Sequence, residues 1–87
     1  MLLKDKVVVI SGVGPGLGRT LALEAATDGA KLVLGARNQE FLASVVAEVE
    51  AAGGAAVARG TDVTSKDQCQ ALVTLGVDTY GRIDGLV

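Results

Sequence analysis

Ser11-Gly12-Val13-Gly14-Pro15-Gly16-Leu17-Gly18-Arg19-Thr20 places four glycines in the seven positions 12–18, directly after the β-branched run Val7-Val8-Val9-Ile10 and directly before a segment of helical period. A turn at that junction is where an α/β sheet holds phosphates, because the free N–H groups and the positive dipole end of the following helix face the anion. Without a Cβ, Gly12 suits the tight turn, Gly16 lets the backbone approach a pyrophosphate, and Gly18 lets the helix close on the strand. The spacing is GxxxGxG. A GxGxxG pattern would need glycine at 17, 19 or 21, where Leu17, Arg19 and Leu21 stand, and a P-loop would need a glycine followed by Lys and then Ser or Thr. A turn that merely packs tightly is the plainer alternative. It is disfavoured because four glycines cost conformational entropy that a small domain can ill spare. Pro15 has no N–H to donate and presets the shape of the loop.

Working outward, strands and helices alternate. Val7 to Ile10 reads as a buried central strand, Lys31 to Gly35 as a second, Ala55 to Arg59 as a weaker third, and Gly85 to Val87 as the start of a fourth. Between the first two, Leu17, Leu21 and Ala25 with Gly18 and Ala22 form a stripe of apolar and small residues, closed by Asp28-Gly29. Asn38 is placed to cap a second helix with Leu42, Val45, Val46 and Val49 on its apolar face and Gly53-Gly54 at its end. Ser65 and Gln68 form a capping-box pair ahead of a third helix, with Cys69, Leu72, Val73 and Gly76 on one face and a stop at Gly81. The pattern predicts an α/β architecture: a Rossmann-type, doubly wound parallel sheet in its N-terminal half only, ordered 3-2-1-4.

Composition narrows the chemistry. With 87 residues, no histidine and one cysteine, the chain offers no disulfide scaffold, no zinc site and no imidazole base. Eight basic residues scattered among ten acidic ones make no phosphate-neutralising patch, so nucleic acid is not expected as a partner. No run approaches the roughly 18 apolar residues of a membrane span, and the opening residues are too short an apolar stretch for a signal peptide, so no membrane contact and a cytoplasmic location are expected.

A dinucleotide fold reads the adenosine ribose at the tip of its second strand, about 20 residues beyond the glycines, with an acid for a 2′-hydroxyl or an arginine for a 2′-phosphate. The tip here is Gly35-Ala36-Arg37-Asn38, with no acid in place. Arg37 is a planar multi-donor cation suited to phosphate, so NADP(H) is favoured over NAD(H). The plainer reading leaves Arg37 as a solvated loop charge.

These residues resemble the short-chain dehydrogenase/reductase family. Its TGxxxGxG motif is similar to Ser11 through Gly18 with Ser in place of Thr, its acidic segment after the third strand resembles Asp62-Val63-Thr64-Ser65, and its GxhD segment resembles Gly81-Arg82-Ile83-Asp84. The resemblance implies that Asp62 hydrogen-bonds the adenine amino group, that Val63 packs near the ring, and that Asp84 steadies the central sheet. The candidate cofactor-binding residues are therefore Gly12, Gly14, Pro15, Gly16, Leu17, Gly18, Arg37, Asn38, Asp62 and Val63. No catalytic or metal-binding residue is nominated. The family's Asn-Asn-Ala-Gly segment, serine and TyrxxxLys pair lie further along than Val87, and Tyr80 is followed four residues later by Asp84 rather than lysine.

The expectation is thus a dinucleotide-binding segment over residues 1–87, apparently truncated before the catalytic half. It would belong to an NAD(P)-dependent oxidoreductase that moves hydride between a nicotinamide cofactor and an alcohol or ketone, as a homo-oligomer, commonly a tetramer. The alternatives are a non-catalytic dinucleotide-binding or regulatory module complete at this length, and a methyltransferase-like nucleotide domain. The latter would leave the glycine cradle and Arg37 unused.

Overall fold

The computed structural model describes residues 4–12 and 17–86, together with the backbone but not the side chain of Leu17. Among the described residues seven elements alternate: β1 (Val7–Ser11), α1 (Leu17–Thr27), β2 (Lys31–Ala36), α2 (Gln39–Ala51), β3 (Ala55–Gly60), α3 (Lys66–Tyr80) and β4 (Gly85–Leu86). The four strands form one parallel sheet in the order β3-β2-β1-β4, as the sequence pattern predicts. The expected strand at Gly85 is present over two residues, and Val87 lies outside the described residues.

Strand alternation divides the core between the two faces of the sheet. Ile10, Leu32, Leu34 and Ala36 point to the side covered by α1 and α2, where they meet Ala22, Ala26, Leu42, Val45 and Val49. Val7, Val9 and Val33 point to the other side, against Leu72 of α3. Five successive residues of β2, Leu32 through Ala36, are buried, which is why that strand reads as an unbroken apolar run.

Three local expectations are corrected. On α1 Ala22 is buried as expected, but its partner on the buried stripe is Ala26, while Leu21 and Ala25 are only half-buried. The small side chains let the helix settle closer to the sheet, and rotating one residue from the larger Leu21 puts two methyl groups at the contact. Cys69, expected on the buried stripe of α3, is half-buried, its thiol 3.6 Å from the Val63 carbonyl that it bonds. The Ser65/Gln68 pair makes only half of a capping box. Ser65 Oγ accepts from Gln68 N at 3.3 Å, while the Gln68 side chain turns away to take Asp62 N at 2.7 Å.

The α3 face is fitted by a reciprocal pair of glycines. A Cβ on Gly35 of β2 would lie 2.5 Å from Leu72 Cδ2, and one on Gly76 of α3 would lie 2.9 Å from Val33 Cγ2. A gap in the strand receives a large helix side chain, and a gap in the helix receives a large strand side chain. At the opposite edge Asp84 fastens β4 to β1: its carboxylate accepts from Val7 N at 2.9 Å and its own N–H donates to Val7 O at 2.8 Å. This is the sheet-steadying part the resemblance implies. Arg82 holds the same carboxylate from Nε at 3.1 Å and draws its pKa below the ordinary value. Tyr80 ends α3 as expected, half-buried, with its hydroxyl 3.5 Å from Leu32 O.

Candidate functional site

Parallel strands in level register bring their carboxyl ends to one rim. Ser11 pairs with Gly35, and Ala36 pairs with Gly60, so the residues leaving β1, β2 and β3 emerge side by side. Gly12 follows β1, Arg37 and Asn38 follow β2, and Thr61, Asp62 and Val63 follow β3. Six of the candidate residues have their positions described. Gly14, Pro15 and Gly16, in the stretch 13–16, lie outside the described residues, and so does the Leu17 side chain.

Gly12 has φ +71°, the left-handed region where a Cβ is strained. Among the described residues, the nearest atom to a Cβ there would be Val63 Cγ1 at 4.0 Å. What the described residues give as the requirement for glycine at 12 is thus backbone conformation. The same distance shows that the start of the glycine turn and Val63 are neighbours across the rim. Val63 is 48% exposed, an apolar side chain presented to solvent beside a backbone without side chain. Gly18 is half-buried in the first turn of α1, four residues before Ala22 on the same stripe.

Asn38 caps α2 as predicted, its Oδ1 accepting from Phe41 N at 3.0 Å. Arg37 beside it is exposed, but it is paired. Its Nη2 donates to Asp62 Oδ1 at 2.9 Å, joining the tips of β2 and β3. Two more donors reach that oxygen, Thr64 Oγ1 at 2.6 Å and Thr64 N at 2.9 Å. These hydrogen bonds from Thr64, with the Arg37 guanidinium added, push the Asp62 pKa down to about 2. All three described donors use Oδ1, which leaves Oδ2 as an acceptor for a ligand.

Between the two tips lies an open depression of about 440 Å³ lined by Arg37, Gln39, Gly60, Thr61, Asp62 and Gln68. Thr61 is buried and bonds back to Arg59 O at 2.9 Å, which fixes the root of the Asp62 segment. Sequence reasoning did not nominate Thr64, Gln39 or Gln68. The Asp62-Val63-Thr64 order was the available signal for Thr64, because an Asp two residues ahead of a Thr favours a turn in which the carboxylate accepts from the later residue. For the two glutamines the chain offered no comparable signal.

Residues 6–87 match the family model for short chain dehydrogenases. The chain belongs to the short chain dehydrogenase family. Among its relatives in that family, an uncharacterised oxidoreductase of Listeria monocytogenes is 41% identical over 86 residues, covering 99% of this chain and 35% of the relative. The family fold is matched equally well in solved structures. A metagenomic short-chain oxidoreductase in complex with NADP superposes with a TM-score of 0.90 at 35% identity, over 99% of this chain and 39% of that one. A short chain dehydrogenase/reductase from Burkholderia phymatum in complex with NAD superposes with a TM-score of 0.92 at 36% identity, over 99% of this chain and 31% of that one. The chain spans about a third of the length of the curated relatives it matches. Among the described residues no helix is long and apolar enough to cross a membrane.

Proposed function

We propose that residues 1–87 form the dinucleotide-binding part of an NAD(P)-dependent oxidoreductase, with NADP(H) favoured over NAD(H). The reaction is hydride transfer between the nicotinamide ring and the carbinol or carbonyl carbon of an alcohol or ketone. The observation that carries the reading is the rim itself: a positive-φ glycine beside an exposed valine, and an arginine and an aspartate joined at the tips of neighbouring strands. These features fit the adenosine end of a dinucleotide. Val63 and Gly12 offer an apolar surface for the ring, Asp62 Oδ2 an acceptor for its amino group, and Arg37 a planar donor set for a 2′-phosphate. The turn of Gly14, Pro15, Gly16, Leu17 and Gly18 is assigned to the pyrophosphate on the strength of its spacing, with Gly16 admitting the backbone to the anion, Pro15 shaping the loop and Gly18 seating the helix, and Asn38 is assigned to the ribose phosphate as a secondary contact to its capping role.

The nicotinamide, when bound, supplies the hydride chemistry, and the residues of this segment bind and orient it. The family resemblance supports a homo-oligomeric whole protein. Two solved relatives, one with NADP and one with NAD, keep the choice of dinucleotide a question for Arg37. Replacing Arg37 with Asp tests it. The expected result is a shift in equilibrium binding from NADPH towards NADH, read by quenching or calorimetry. Unchanged affinities for both would refute a 2′-phosphate role for Arg37.

A further inference from the structure

We propose that Asp62 sets how strongly this site distinguishes a 2′-phosphate from a 2′-hydroxyl, by holding the Arg37 guanidinium in a charge-neutral pair. The proposal rests on the dinucleotide reading and extends it to the coupling between two residues 25 positions apart.

Arg37 is 71% exposed along its side chain, and its one described bond runs from Nη2 to Asp62 Oδ1. Asp62 is held independently of Arg37, because Thr64 donates to the same oxygen twice and Gln68 Oε1 takes its backbone N–H. The carboxylate is therefore a stationary charge and the guanidinium is the part that can be redirected. The low pKa of Asp62 keeps it ionised across the neutral range.

A ligand arriving with a 2′-phosphate meets a rim carrying one positive and one negative charge at the adenosine end, rather than an unopposed arginine. It must share the guanidinium with the Asp62 carboxylate or draw it away. A ligand with a 2′-hydroxyl has no such competition. The pair thus weakens binding of the phosphate form selectively, and narrows the preference that Arg37 alone would impose.

Calorimetric titration of the full chain with adenosine 2′,5′-bisphosphate and with AMP tests this, because both probes carry the same adenine and any lost contact to the ring cancels in their affinity ratio. Asp62→Asn is expected to raise the ratio, bisphosphate over AMP, about 1.4- to fivefold, the range an exposed ion pair spans. In an Arg37→Gln background the same substitution is expected to raise it less than half as much. An unchanged or lower ratio for Asp62→Asn, or an equal rise without Arg37, overturns the proposal while leaving the dinucleotide reading intact. Failure of the unaltered protein to bind either probe overturns both.

Discussion

Replacing Gly35 with alanine puts a methyl group where the structure has no room for one. Its Cβ would lie 2.5 Å from Leu72 Cδ2, 3.3 Å from Cδ1 and 3.1 Å from Thr61 Oγ1. Leu72 and Thr61 are both buried to within 1% of complete, so neither side chain has open space to move into. Overpacking of this kind costs about 1–3 kcal/mol. Against it stands the gain of about 0.5–1 kcal/mol from replacing a glycine inside a strand. The net expectation is a loss of up to about 2.5 kcal/mol, which at a urea slope of about 1 kcal/mol/M lowers the unfolding midpoint by up to about 2.5 M. A double-mutant cycle makes the reasoning specific. Leu72→Ala alone should cost about 2–5 kcal/mol through lost burial and the cavity left behind. In that background the nearest clash is gone and the new methyl occupies part of the vacated space, so Gly35→Ala should lie within about 0.5 kcal/mol of neutral or stabilise. Urea unfolding of the four proteins, followed by circular dichroism, gives the coupling. Additive losses would show that the strain is not borne by Leu72 and would refute the account of how α3 seats on the sheet.

Two further outcomes follow from the rim and the β4 edge. Asp62 and Asp84 both have folded-state pKa values below the ordinary value of 3.8, at about 2 for Asp62, so their contribution to stability is fully present above that value and is lost as the pH falls through the depressed ones. Urea midpoints should therefore drop on acidification from about pH 5 towards pH 2, and drop less steeply in Asp62→Asn and in Asp84→Asn; parallel slopes in all three proteins would contradict the assignment. At Gly12, where φ is +71° and the nearest side-chain atom to a Cβ among the described residues is 4.0 Å away, alanine should cost about 1–2 kcal/mol and asparagine less, because the objection is the backbone conformation. Thermal melts of the two variants check the order, and equal losses would mean that crowding, not conformation, keeps glycine there.

Most of the fold was legible because its signals are local and repeated. β-Branched runs followed by helical stripes repeat through three cycles, and parallel pairing of such units leaves few topologies open. Asn38 as a cap and Gly81 as a stop follow from side-chain and backbone chemistry within four residues of each site. What periodicity could not supply was the rotation of α1. Leu21 and Ala25 share the stripe with Ala22 on any hydrophobicity count, yet the sheet admits Ala22 and Ala26, since closeness of approach and not the size of one side chain decides which face is buried. The half-made capping box has a similar cause: Gln68 had two acceptable partners, and the N–H of Asp62 took it.

The candidate site divides along the same line. Gly12 and Arg37 could each be nominated singly, from their places at strand ends, whereas Asp62 and Val63 came only with the family resemblance. Their relations could not be nominated, because these depend on register across the sheet. Ala36 opposite Gly60 means that the residue leaving β2 and the second residue leaving β3 come within reach of one another, so a cation nominated for a ligand is found on an anion nominated for the same ligand. An arginine at a strand tip therefore does not by itself fix a preference for a 2′-phosphate. The field at that position is the sum of Arg37 and whatever the neighbouring strand presents, and here the neighbouring strand presents an aspartate that Thr64 holds in place.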